Sequence, residues 1–324
     1  MNIAVTKDLS MHKLIHTVLS SDKFEQIVRN GEKGYYDKQE KVFVPTKFVG
    51  NLIKEIIDGP AVILGSNDPD SRYALCQVRI NRALKTKFKI KPRNAYKRTI
   101  QRYISKEFLK LHANSSINFA ALYIDLVGST LMSMRLSTEH LTTIIGIFTQ
   151  EMTDIVSAHN GYVLKYAGDA VIAFFPETDD FSTMCVNALN CAMEMKNLLQ
   201  EGVNAAITNA GFEPLNIRIG IEAGANKIML IAGDVDIIGF NMNIAAKVQS
   251  TVKPGGVGIG QNCYAALDKE GQSYFVPLKL DSSWKYKDSD GNPYKLYEYG
   301  DKIDEPSQKV TKEPDTNSKA KPQN

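Results

Sequence analysis

From about residue 116 to 300 the chain alternates two apolar patterns, one unbroken or repeating every second residue, the other repeating every third or fourth. INFAALYID (117–125) reads as a strand ending on Asp125, and LVGST follows it as a loop. Leu141, Ile144, Ile145, Phe148, Met152, Ile155 and Val156 then recur at helical spacing. Ser137 or Thr138 is placed to cap that helix and Asn160-Gly161 to stop it. Val163 and the run Val171–Phe175 have the β-branched and aromatic make-up of a hairpin's two strands, turned at Ala167-Gly168-Asp169.

A second helix is expected over about 181–201, closed by Gly202, and strands at 215–224, 235–239 and 256–260 flank a short helix at 241–252. The order β-α-β-β-α-β, with later additions, predicts an α+β fold: a ferredoxin-like antiparallel sheet with flanking helices. The preceding 1–115 read as a smaller mixed N-terminal region. Helical stretches are expected there at about 9–30 and 47–57, strand-like pieces at AVILG (61–65) and YALCQVRI (73–80), and a helix at about 95–113. From 301 the chain is polar and rich in Pro and Lys, with too few apolar groups to offset ordering, so 301–324 is expected to be disordered.

Composition narrows the function. With 43% hydrophobic and 23% charged residues in 324, the chain is an ordinary globular one. No apolar run reaches the roughly 18 residues that span a bilayer, and MNIAVTKDLSMHK lacks the layout of a secretion signal, so a cytoplasmic location and no membrane span are expected. Cys76, Cys185, Cys191 and Cys263 form no close pairs and read as buried free thiols. His12 and His16 are one helical turn apart without an acidic companion, which argues against a histidine metal site. The net charge of +3 is unevenly spread: between Asp70 and Glu107 twelve basic residues occur and no acidic one. That run at 72–106 suits a regulatory partner, an anionic ligand or simply a solvated face.

The chemistry gathers at two aspartates. Asp125 ends the first strand and Asp169 sits in the hairpin of the next two, so a β-α-β-β sheet brings both to one point. Two carboxylates beside a Gly-Ser-Thr loop suit Mg²⁺ or Mn²⁺ held against a triphosphate. A metal there would supply the charge that makes Asp169 tolerable at the tip of a buried hairpin.

DLVGST (125–130), KYAGDAVIAFF (165–175), IRIGIEAG (217–224) and DIIGFNMNIAAKVQ (236–249) occur in the order of the class III nucleotidyl cyclases, and the stretch 116–300 resembles their catalytic domain. The resemblance implies a homodimer with active sites at the interface, two Mg²⁺ or Mn²⁺ per site, and conversion of a nucleoside triphosphate to a 3′,5′-cyclic nucleotide and pyrophosphate. It implies Asp125 and Asp169 as metal ligands and the backbone of Leu126, Val127, Gly128, Ser129 and Thr130 as the phosphate loop. Lys165 and Asp236 match the pair that reads adenine, Asn243 the residue that orients the ribose, and Lys285 a late phosphate-binding lysine.

The sequence departs from this pattern twice. Lys247 stands where the family usually has Arg, a point charge in place of a planar fork, so reduced turnover is expected. Only eleven residues separate Gly224 from Asp236, in a stretch associated with the dimer interface. An ammonium beside a carboxylate complements the amino group and ring acceptor of adenine or cytosine, whereas guanine wants the opposite. ATP is therefore the first expectation, with a pyrimidine cyclase of an antiphage signalling system as the alternative. A nucleotide-binding regulatory module without turnover, or a nucleic-acid or membrane-surface binder acting through the basic run, are the readings from other classes. The N-terminal region is expected to sense or dock something and to pass it on through the helix at 95–113.

Overall fold

The computed structural model describes residues 24–29, 31–38, 42–46, 73, 76, 77, 80, 93–231, 234–280 and 282–300. Its first elements, β1 (Phe24–Arg29), β2 (Glu32–Asp37) and β3 (Val42–Pro45), pair antiparallel as a small sheet. This corrects the helix expected over 9–30 wherever it is described. Arg29 pairs with Glu32, and Gly31 between them has φ 77°, the left-handed backbone of a two-residue hairpin. The Asn-Gly pair at 30–31 is the local signal that outweighs the weak helical spacing around it.

The strand expected in YALCQVRI is also corrected, because Tyr73, Cys76, Gln77 and Ile80 are helical. Spacing of three and four puts Tyr73, Cys76 and Ile80 on one helix face, and Cys76 and Ile80 are buried in the same core as the main sheet. The stretches 47–57 and 61–65, the tail from 301, and His12 and His16 lie outside the described residues. The helix expected at 95–113 is α1 (Arg93–Leu111). It joins both parts: Tyr103 meets Phe24 edge-on at 5.2 Å, and Phe108 stacks on Tyr162 at 4.7 Å.

The chain continues through β4 (Ser116–Leu126), α2 (Ser129–Arg135), α3 (Thr138–Ala158), β5 (Tyr162–Ala167) and β6 (Ala170–Pro176). Next come α4 (Phe181–Asn197), α5 (Ala205–Asn209), β7 (Ile217–Ile231), β8 (Asp234–Ile238) and α6 (Phe240–Thr251). β9 (Val257–Gly260), α7 (Gln261–Ala266), α8 (Lys269–Gln272), β10 (Phe275–Pro277) and β11 (Leu296–Tyr299) complete it. The main sheet runs β10-β11-β9-β7-β4-β6-β5, with β8 attached to β7. Its β7-β4-β6-β5 portion has the ferredoxin-like order. One pair departs from the antiparallel expectation: β9 is parallel to β7, because α6 carries the chain back across the sheet between them.

Helices α3 and α4 cover one sheet face with Phe148, Met152, Val156, Ala188, Cys191 and Met195, all fully buried. Burying each of the large side chains stabilises the fold by about 1.5–3 kcal/mol. Along β4, Leu122 and Ile124 are fully buried, whereas Tyr123 and Asp125 alternate with them on the opposite, partly open face.

The second long helix does not stop at Gly202. It widens into a π-helical stretch at Leu198–Asn204 and continues as α5. Gln77 Nε2 donates to the Glu201 carbonyl at 2.7 Å, and a Cβ on Gly202 would come within 3.3 Å of Cys76 Sγ. Glycine is there for close approach rather than to end a helix. The four cysteines are free and buried, as expected, and no described helix is long and apolar enough to cross a membrane.

Candidate active site

Asp125 is carried to the open face by the alternation of β4, and Asp169 by the two-residue turn between Ala167 and Ala170, which are paired. That turn needs Gly168 at its first position, where φ is +66°. The two carboxyls come close enough to share a hydrogen bond. Burial, then the charge of Asp169, pushes Asp125 up to about 6. The Leu126 amide and the charge of Arg218 pull it partly back. Asp169 Oδ2 is buried with no hydrogen-bond partner.

An unspent buried carboxylate oxygen beside a second carboxylate is a fit for a hard divalent cation, which would relieve the repulsion that raises Asp125. Among the described residues no cluster of three or more His, Cys, Asp or Glu has metal-ligand geometry.

Of the expected phosphate loop, the Val127 amide is already spent on the Asn216 carbonyl at 2.8 Å, and the Leu126 amide faces Asp125. Gly128, with φ 78°, turns the chain into α2, whose first residues are Ser129 and Thr130. Amides at such a start have no intrahelical partner and remain for an anion.

Lys165 on β5 and Asp236 on β8 meet at 2.8 Å, both partly exposed. Asp236 lies near enough to Tyr123 to help burial raise that phenol's pKa. Since Tyr123 is two residues from Asp125, about 7 Å along β4, the Lys165–Asp236 pair and the Asp125–Asp169 pair share one sheet face. The short stretch after Gly224 is the hairpin of β7 and β8 itself, and β7 runs seven residues past its expected end at 224.

Asn243 and Lys247 stand one turn apart on the exposed side of α6, and neither side chain bonds another described residue. Lys285 is exposed too, on a loop pinned by its neighbours: Trp284 Nε1 donates to the Tyr294 carbonyl at 2.9 Å, and Trp284 packs on Tyr286. The chain thus unites Asp125 with Asp169 and Lys165 with Asp236, but leaves Asn243, Lys247 and Lys285 facing outward. Two residues were missed from sequence, Arg218 and Tyr123. Arg218 pairs directly with Asp125 across β4 and β7, a signal that register alone carries.

Of the basic run, Arg102 and Lys106 are the positions with described side chains, and Lys106 is ion-paired with Asp234 at 3.1 Å, two residues from Asp236.

The family model for the adenylate and guanylate cyclase catalytic domain matches residues 111–282. Among curated proteins, a cytidylate cyclase from Escherichia coli is 27% identical over 53% of this chain and 38% of its own length. A cytidylate cyclase from Staphylococcus aureus is 24% identical over 46% of this chain and 37% of its own. The matched stretch is thus well under half the length of those relatives. Among solved structures, the guanylyl cyclase Cya2 superposes with a TM-score of 0.51 at 23% identity, over 60% of this chain and 98% of that one.

Proposed function

The chain belongs to the adenylate and guanylate cyclase catalytic domain family, and from that premise we propose that it converts an amino-bearing nucleoside triphosphate, CTP or ATP, to a 3′,5′-cyclic nucleotide and pyrophosphate. The observation that carries this reading is the Asp125–Asp169 pair, with a buried, unpartnered carboxylate oxygen beside the start of α2.

Asp125 and Asp169 would hold two Mg²⁺ or Mn²⁺, which supply Lewis acidity toward the 3′-hydroxyl and neutralise phosphate charge. The free amides from Gly128 to Thr130 orient the triphosphate for in-line attack on the α-phosphorus. Lys165 offers a donor and Asp236 an acceptor, the complement of a ring acceptor beside an amino group. Guanine and uracil present a keto oxygen and a ring N–H and fit this pair poorly. ATP was the expectation from the pair alone; the cytidylate cyclases among the relatives bring CTP forward as the first substrate to test.

A homodimer follows from the outward-facing residues. Asn243 and Lys247 gain a role if a second copy brings its aspartates to them, where Asn243 would orient the ribose and Lys247 and Lys285 would meet phosphate oxygens. Met229, Ile231 and Ile238, 38%, 44% and 49% exposed, share the β7–β8 face of Asp236 and form an apolar strip that a partner would cover. The N-terminal region's part is to bias that assembly, and the proposed setting is the cytoplasm.

The test is to incubate the protein with ATP, GTP, CTP and UTP separately, with Mn²⁺ and with Mg²⁺, and identify products by mass spectrometry beside an Asp169→Ala control. A cyclic product from CTP or ATP, lost in the control, is the expected result. Turnover of GTP alone would overturn the base assignment, and nucleotide binding with no product would overturn the enzymatic one.

A further inference from the structure

A cavity of about 660 Å³ lies between α1, the end of α3 and the far ends of β4, β5 and β6. It opens at Ile117 and Asn118, whereas Asp125 is at the other end of the same strand, roughly 25 Å away. No step of the proposed reaction uses it. Its size is that of a small-molecule site, and its walls are mixed: Ile104, Phe108, Ile117 and Tyr162 on one side, polar groups on the other.

The polar groups have an uneven balance. Gln101 is only 5% exposed, and its Oε1 is buried without a partner. Its orientation is fixed by the other end of the amide: Nε2 donates to Ser157 Oγ at 2.5 Å, and Ser157's own proton goes to the Thr153 carbonyl at 3.2 Å. A buried orphan acceptor costs about 1–3 kcal/mol, which a donor from a ligand would recover. His112 Nδ1 lies 2.8 Å from the Phe108 carbonyl, which can only accept, so Nδ1 carries the proton and Nε2 is left as an acceptor. At the mouth, Asn118 Nδ2 donates to Glu177 Oε2 and Thr178 Oγ1 to Asp179 Oδ2, each leaving a carboxylate oxygen over. Among the described residues no Lys or Arg lines the cavity.

Unspent acceptors, two carboxylates and an aromatic wall in which Phe108 contacts both His112 and Tyr162 describe a site for a donor with a flat apolar body. We propose that this cavity binds a small planar organic cation, an amidine or guanidine, whose N–H groups bond Gln101 Oε1 and whose charge faces Glu177 and Asp179.

The test is calorimetric titration of the full chain with benzamidine, benzyl alcohol and benzoate. Benzamidine is expected to bind at least tenfold more tightly than either of the others. Gln101→Met should weaken it about tenfold, and Asp179→Asn, at an exposed position that does not threaten folding, about threefold. Binding should persist in Asp169→Ala, which separates this cavity from the metal site. Benzoate binding as well as benzamidine, or benzamidine binding unchanged in both cavity variants, or lost in Asp169→Ala, would overturn the proposal.

Discussion

Arg218 stands directly across the β4–β7 pairing from Asp125, and its Nε is buried without a hydrogen-bond partner. The guanidinium is the local charge that keeps Asp125 from rising further against burial and Asp169. If Asp125 and Asp169 hold the metal as proposed, Arg218 is a positioning residue for them. Arg218→Met, of similar length but uncharged, should lower Mn²⁺ affinity at pH 6 by about three- to tenfold and spare it at pH 8, where Asp125 is ionised in either protein. Unchanged affinity at pH 6, read by calorimetry, would sink this role.

The raised carboxyl also gives the metal-free protein a pH signature. Asp125 at about 6 lies above its ordinary 3.8, so its contribution to stability is full below about 4 and is lost as pH rises through 6. A divalent cation reverses this, because it binds the ionised pair. Addition of Mn²⁺ should therefore raise the melting temperature by several degrees at pH 7.5 and by less than half as much at pH 5, with neither effect in Asp169→Ala. Equal Mn²⁺ stabilisation at both pH values would count against the aspartate pair as its site.

Specificity is expected to sit in the Lys165–Asp236 pair rather than in stability. Both side chains are partly exposed, so breaking the pair should change the folding free energy by no more than about 1 kcal/mol. Asp236→Asn should instead lower kcat/KM for the amino-bearing substrate about 10- to 100-fold and narrow its lead over GTP and UTP. Steady-state kinetics with all four triphosphates would check this, and an unchanged ranking would remove Asp236 from base recognition.

The buried carboxyl of Glu222 links the stability of the fold to pH. Burial pushes Glu222 up to about 7, although Tyr294 Oη donates to it at 2.6 Å and the Ala223 and Cys263 amides also donate. Its contribution is full below its ordinary 4.5 and is lost as pH rises through about 7. Urea unfolding should show lower stability at pH 8.5 than at pH 6, and Tyr294→Phe should cost about 1–3 kcal/mol, more at the higher pH where the carboxylate is ionised. A Tyr294→Phe cost that does not grow with pH would contradict the assignment.

The strong periodicities made the catalytic fold readable. The spacing from Leu141 to Val156 gave α3 nearly to the residue, and the turn composition at 167–169 gave the β5–β6 hairpin, because in both places local propensity and burial agree. The readings failed where a short signal competed with a longer, weaker one. Asn-Gly at 30–31 decided for a hairpin inside a stretch taken as helix, and YALCQVRI has strand composition but helical burial. Gly202 has the composition of a helix stop, and its packing against Cys76, more than a hundred residues away, leaves no local mark.

From 116 to 260 the amino-acid pattern was enough for the order of the main strands and helices and for the identity of the acidic, basic and amide side chains near the sheet, because these rest on period and residue type. Tertiary structure alone decided which of them meet. Sheet register placed Arg218 opposite Asp125, and the long β7–β8 hairpin carried Asp236 back to Lys165 across 71 positions of chain. The packing of α6 on the sheet left Asn243 and Lys247 on its exposed side, bonded to neither pair. Contacts between distant segments depend on how strands pair and how helices cross the sheet, and neither leaves a periodic mark on the chain that carries it.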